Sequence, residues 1–333
     1  MSRDGENGSQ PGIRDLEKRI AELERRVDEV ARAFSRHRLQ QRRSWLRPPL
    51  WVFEQYAPRP LEVRPHPSDA TAPPGPLPAI AIVTPTLDRR AYLQATIDSV
   101  LGQHYPALHY NVQDGGSTDG TQELLRSYDA QLSWHSERDA GQAQAINRAL
   151  ATCDGEIMAY LNSDDLLLPG TLAYVARLFE SRPDVDFVYG HRIFIDGMGR
   201  EIGRAVLPRH DAKAIYWACY IPQETMFWRR RVWTKVGPFD ERLHYALDWD
   251  FITRAQAAGF KFLRAPRFLA CFRVHDQQKV ATMYDQGHAE MQEVRRRHLG
   301  YEPTHGEVVR KMLPYLGRQF AAHWLYRSGL LKY

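Results

Sequence analysis

Cysteine is scarce in this chain: Cys153, Cys219 and Cys271 are the only three in 333 residues. They are odd in number, far apart and form no CxxC pair. That argues against a disulfide scaffold or a zinc ribbon and fits a reducing, cytoplasmic setting. Long apolar runs are missing as well. No stretch approaches the roughly 18 residues that a membrane span needs. The first 30 residues are polar and lack the apolar core of a secretory signal. The body of the chain has no one-signed charge field: residues 51–333 hold 33 Lys/Arg against 32 Asp/Glu. A basic nucleic-acid face is therefore not expected, and no nucleic-acid partner with it. The net charge of +5 comes almost wholly from residues 1–50, with 12 basic and 8 acidic side chains. Neither a P-loop nor a GxGxxG dinucleotide fingerprint occurs. What remains is an ordinary globular composition, 43% hydrophobic and 26% charged.

The N-terminal region divides by composition. Residues 1–12 are polar with Gly and Pro and read as disordered. Ile13, Leu16, Ile20, Leu23, Val27, Val30 and Phe34 then alternate spacings of three and four, the seam of a two-stranded coiled coil. We expect a coiled-coil helix over 13–45 and a homodimer through 13–34; an amphipathic helix packed on its own domain is the plainer alternative. Six arginines and no acid lie between Arg32 and Arg47, followed by Trp45, Trp51, Phe53 and Tyr56. This pattern suits either an anionic lipid surface at the inner membrane face or a linker whose aromatics dock on the main domain. Residues 46–78 read as a Pro-rich linker.

From residue 79 short apolar strands alternate with helical spacing: strands at 79–84, 109–114, 131–136, 156–161 and 186–190, helices between them, and one opened by Pro169. Such alternation predicts an α/β fold, a mostly parallel sheet with helices on both faces. Ligands in such sheets sit beyond the carboxyl ends of the strands. Small polar and acidic residues cluster at those ends: Thr84-Pro85-Thr86, Asp114 to Gly120, Glu137 to Gln142, and Asn162-Ser163-Asp164-Asp165. Each cluster alone is an ordinary turn, but four in succession describe a polar pocket rimmed by acids. Adjacent carboxylates suit Mg²⁺ or Mn²⁺ shared with substrate phosphates. The tail reads as a helical extension over 286–333. Thr304 and Glu307 form a capping box, and Val308, Met312, Leu316, Phe320 and Trp324 define the expected apolar stripe. That stripe suits packing on the body, with a membrane-surface helix as the sharper alternative.

The blocks IVTPT (82–86), QDGGSTDGT (113–121), SERDAGQAQAIN (136–147), AYLNSDDLLLPG (159–170), PQETMFWRR (222–230), ALDWDF (246–251) and FRVH (272–275) resemble, in order and spacing, the family-2 glycosyltransferases of GT-A fold. The resemblance covers residues 79–285. It implies that Thr84, Pro85, Thr86 and Asp114 line the nucleotide base, and that Arg138 and Asp139 belong to the loop over base and ribose, with Gln142 following it as a further donor-binding residue. Asn162 stands where the family's DxD motif begins with Asp, and Ser163 follows it. Asp164 matches the motif's metal-binding Asp, with Asp165 and His275 as further ligands for Mg²⁺ or Mn²⁺. Asp248 matches the general base, though Leu247 replaces the Glu that many relatives carry there. Gln223 and Glu224 fall on the acceptor side. Trp228, Trp249 and Phe251 are either core or an acceptor-stacking surface. The implied activity is transfer of a sugar from a nucleoside diphosphate sugar to a hydroxyl acceptor, a sugar or lipid-linked sugar, with inversion. Two rivals stay open at this point: a sugar-phosphate nucleotidyltransferase, and a non-catalytic coiled-coil scaffold with a degenerate transferase body.

Overall fold

The computed structural model describes residues 52–63, 77–276, 278 and 283–333. The expected coiled coil and its basic end, and the linker stretches 46–51 and 64–76, lie outside the described residues.

Strand β1 (Ile80–Thr86) is buried along its whole length. Its side chains alternate between two layers, as the strand period of two requires. Ile80 and Ile82 join Leu93, Ile97 and Val100 of helix α1 (Arg90–Leu101). Ala81 and Val83 face Ala143, Ile146, Ala149 and Leu150 of α3 (Gln142–Thr152) on the other side. A strand covered on both faces must be apolar at every position, which is why this segment reads as a continuous run. Strand β2 (Leu108–Asp114), followed by helix α2 (Thr121–Arg126), and strand β4 (Ile157–Tyr160) pair with β1 in parallel, and β3 (Ser133–Ser136) pairs in parallel with β2.

Beyond β4 the sheet becomes mixed. The order is β3-β2-β1-β4-β8-β6-β9-β5, with β8 at Phe227–Arg229, β6 at Phe187–Ile195, β9 at Phe262–Arg273, β5 at Leu166–Leu167, and β7 (Glu201–Ala205) paired with β6. Strand β8 runs antiparallel to both β4 and β6. Helix α4 begins at Thr171, after a left-handed Gly170, and ends at Ser181, so Pro169 precedes the helix and does not open it. Helix α5 (Arg230–Val236) follows β8, and α6 (Leu247–Ala257) precedes β9. Trp228, Trp249 and Phe251 are core, not an acceptor surface: all are buried, Trp228 lies 5.1 Å from Phe251, and the Trp249 indole donates to the Ile215 carbonyl.

Residues 52–63 dock on β7. The Gln55 N–H donates to the Ile202 carbonyl at 2.8 Å, and Phe53 sits 5.2 Å from Phe194. The buried Glu201 carboxylate accepts from Tyr56, Arg59 and Arg204. Two of the aromatics that suited a lipid surface are thus committed to the body.

Helices α7 (Tyr284–Leu299) and α8 (His305–Arg327) form the C-terminal extension. The Thr304 half of the capping box is present: the Glu307 N–H donates to Thr304 Oγ1, while the Glu307 carboxylate accepts from the Tyr301 hydroxyl. The α8 stripe differs from expectation. Met312, Tyr315, Gln319 and His323 are buried, while Phe320 and Trp324 are 42% and 59% exposed. A strict spacing of four advances about 40° further round the helix at each step, because 3.6 residues make a turn. By Trp324 the expected stripe has rotated off the buried face. Among the described residues no helix is long and apolar enough to cross a membrane.

Candidate active site

Asp114 ends β2 and organises the first rim of the site. Its buried carboxylate accepts from the Ser117 N–H and hydroxyl and from Ser136 Oγ at 2.6 Å. These bonds hold the turn through Gly115 and Gly116. A Cβ on Gly115 would meet Asp139 Oδ2 at 2.9 Å, and one on Gly116, at φ +89°, would meet Arg138 Cγ at 3.3 Å. Two glycines therefore let the 138–142 loop close onto the turn, and Asp114, Arg138 and Asp139 come together. Asp139 accepts from the Gly141 N–H at 2.9 Å. Burial pushes its carboxyl up, against the pull of that N–H and of Arg148. Thr84 is not on the open rim: its hydroxyl meets Tyr110 at 3.0 Å in the core. Pro85 and Thr86 follow it at the strand end, both buried.

The loop after β4 is wired by side-chain amides. Gln142 Nε2 donates to Asn162 Oδ1 at 2.6 Å, Asn162 Nδ2 to Gln223 Oε1 at 2.8 Å, and Gln223 Nε2 to the Tyr160 carbonyl at 2.8 Å. Ser163 is buried beside this chain in sequence. Of the three residues expected as metal ligands, two meet. His275 Nε2 lies 2.9 Å from Asp164 Oδ2, the two side chains being 7% and 18% exposed. The His275 ring sits 4.8 Å from Tyr92, and Arg273 donates to the Asp164 carbonyl. Asp165 accepts instead from the Arg273 N–H at 3.0 Å in the interior. Burial, then the charges of Asp164 and Glu224, push its carboxyl well up. Among the described residues no three His, Cys, Asp or Glu side chains converge on one point.

Asp248 stands in the first turn of α6, half-buried, with the Trp249 N–H on its Oδ1 at 2.7 Å. After burial, its charge is the largest influence raising the hydroxyl of Tyr160 and the thiol of Cys219. Tyr160 closes β4 and shares a core cluster with Ala246 and Leu247, so the start of α6 packs near the strand that leads into Asn162 and Asp164. Two other acids, Asp250 and Glu224, are committed to arginines. Asp250 accepts from Arg254 Nε at 2.7 Å and Arg297 Nη1 at 2.9 Å. Glu224, read as an acceptor-side residue, is buried in a bidentate pair with Arg192 at 2.7 and 2.6 Å. Arg192 was legible in principle: an arginine within the apolar run of β6 is costly unless paired.

Residues 81–239 match the Glycosyl transferase family 2 model. A PGL/p-HBAD biosynthesis glycosyltransferase of Mycobacterium bovis (strain BCG / Pasteur 1173P2) is 31% identical over 187 residues, spanning 53% of this chain and 69% of the relative. The chain is a family 2 glycosyltransferase. An uncharacterized glycosyltransferase of Rickettsia typhi is 26% identical over 223 residues, 63% of this chain and 68% of its own. Staphylococcus aureus TarS 1–349 in complex with UDP-GlcNAc superposes with a TM-score of 0.57 at 18% identity, covering 73% of each chain. This glycosyltransferase spans 44% of a longer TarS chain. The likeness shows the GT-A fold: a curled mixed sheet with helices on both faces. The family match covers the rims built on Asp114, Asp139 and Asn162, whereas Asp248 and His275 lie beyond it.

Proposed function

We propose that this glycosyltransferase is an inverting, metal-dependent enzyme that moves a sugar from a nucleoside diphosphate sugar to a hydroxyl of a sugar or lipid-linked sugar. The observation that carries the reading is the place of Asp248 in the first turn of α6, whose start packs with Tyr160 at the end of β4, while Asp250 and Glu224 are held in buried arginine pairs. The acceptor hydroxyl attacks the anomeric carbon from the face opposite the diphosphate. Its proton passes to the Asp248 carboxylate as the new C–O bond forms and the bond to the diphosphate breaks. Asp114, Arg138 and Asp139 hold the base and ribose, with Thr84, Pro85 and Thr86 shaping that end and Gln142, Asn162 and Ser163 lining the sugar side.

One carboxylate and one imidazole, adjacent and nearly buried, are donors that fit Mn²⁺ or Mg²⁺. Asp164 and His275 would hold it, with Asp165 supporting the loop from the interior. When bound there, such a cation would neutralise charge on the departing diphosphate. A nucleoside diphosphate sugar is also what TarS holds. The exposed apolar residues of α8 support a peripheral lipid contact, and the 13–34 heptads support a homodimer.

The test is a thermal-shift and calorimetry panel of UDP, GDP and dTDP with Mn²⁺. A tight ligand raises stability by mass action. Asp164→Ala should abolish the metal-dependent part of the binding, and His275→Ala should weaken it less. Undiminished turnover in excess chelator refutes the metal assignment. A product that retains the donor's anomeric configuration, read by NMR, refutes inversion.

A further inference from the structure

The segment before Asp248 is held from outside the family-matched region. Glu290 of α7 is buried. Its carboxylate accepts from three consecutive main-chain N–H groups: His244 at 3.0 Å, Tyr245 at 2.7 Å and Ala246 at 2.9 Å. A fourth donor, Gln286 Nε2 at 3.0 Å, locks the other oxygen. Gln286, Gly287 and Glu290 lie on one face of α7, spaced as neighbouring turns require. Gly287 fits flat against the Tyr245 ring, where a Cβ would come within 2.9 Å. The same turn reaches the donor loop, since a Cβ on Gly141 would meet His244 Nδ1 at 3.0 Å. Ala246 is the N-cap of α6 and supplies no side-chain cap. The anion that faces this helix start is borrowed from another helix.

We propose that Glu290 is a positioning residue for Asp248. By binding the His244–Ala246 N–H groups, it fixes where α6 begins and so where the Asp248 carboxylate stands relative to the donor loop. The proposal rests on the reading of Asp248 as the general base. Glutamine at 290 keeps an oxygen for the three N–H groups but removes the charge and sets an NH₂ against Gln286 Nε2 and the second His244 contact, which loosens the turn rather than unfolding the domain. A displacement of the order of 1 Å at a reacting group lowers turnover about a hundred-fold.

The test is a double-mutant cycle on the full chain, using the nucleotide sugar that gives the largest thermal shift in a UDP-, GDP- and dTDP-sugar panel. Release of nucleoside diphosphate is followed. Glu290→Gln should lower kcat about ten- to hundred-fold with donor KM unchanged, and Glu290→Asp should fall between. In the double variant with Asp248→Asn, turnover should equal that of Asp248→Asn alone, because Glu290 acts only through that carboxylate. Full kcat in folded Glu290→Gln, or losses that multiply in the double variant, overturns the proposal while leaving the base reading intact. Normal turnover in Asp248→Asn overturns the base reading and this proposal with it. If Glu290→Gln does not fold, hydrogen exchange on the unmutated protein decides. The Tyr245 and Ala246 amides should exchange slowly, and exchange at the rate of an open loop overturns the clamp.

Discussion

Asp248 and Asp250 sit two residues apart on the first turn of α6, and their amide replacements should have opposite consequences. Asp250 lies between two guanidinium groups in the interior. Breaking a buried ion pair costs about 3–5 kcal/mol. Here the arginines are 26% and 27% exposed, and each keeps another partner: Arg254 the Pro238 carbonyl, Arg297 the carboxylates of Glu293 and Asp240. About 2–3 kcal/mol is the better figure for Asp250→Asn. At roughly 2–4 °C per kcal/mol for a domain of this size, Tm should fall by about 4–12 °C. Turnover measured well below Tm should stay near normal. Asp248→Asn gives up a favourable charge at a helix N-terminus, worth about 0.3–1 kcal/mol. Its Tm should move by no more than about 4 °C. Removal of the proton acceptor should lower turnover about 10²–10⁴-fold. The assay is scanning fluorimetry beside donor turnover for both variants. A stable Asp250→Asn that has lost turnover, next to an active Asp248→Asn, refutes the assignment of the base.

Acid should weaken the docking of α8. Burial, then the charge of Arg327, pushes the His323 imidazole down to about 4 from an ordinary 6.5, so the folded state holds it neutral. Its contribution is complete above the unfolded value and is lost as pH falls from 6.5 toward 4. The raised Asp165 carboxyl works in the opposite direction, so the check is the difference between Tm–pH curves of the unmutated protein and His323→Gln. Parallel curves refute it. For assembly, Ile20→Glu with Leu23→Glu should convert a dimer into an active monomer by light scattering, and a monomeric unmutated protein would sink the coil. For lipid contact, Phe320→Ser with Trp324→Ser should reduce sedimentation with anionic vesicles, a binding that should weaken with salt; equal sedimentation of both proteins refutes the α8 surface.

The parallel half of the sheet was legible because β1 and β4 are buried apolar runs that end abruptly in polar turns, and β2 between them in sequence ends in one as well. The rims followed from those ends. The antiparallel half was not. Strand β8 is three residues long and β5 two, too short to show a period. Asp164 and Asp165 are adjacent and chemically identical, and only the folded chain turns one to His275 and the other to the Arg273 N–H. Glu224 on Arg192 is a contact across 32 residues that spacing does not reveal. Glu290 could not be found from sequence either, because its partners are main-chain N–H groups, and every residue except proline has one.

The amide chain from Gln142 to Tyr160 has a direction. A main-chain carbonyl can only accept, so Gln223 must present its NH₂ to Tyr160 and its oxygen to Asn162. Asn162 must then donate to Gln223 and accept from Gln142. Each amide's orientation is fixed by the one below it, and the lowest is fixed by the backbone of β4. A carboxylate at position 162 would set oxygen against oxygen at the 2.8 Å contact with Gln223. Asparagine is therefore what this chain of dipoles demands at the site where the family resemblance leads one to expect an acid. The missing charge is the polarity of one strand end, carried by side chains into the loop.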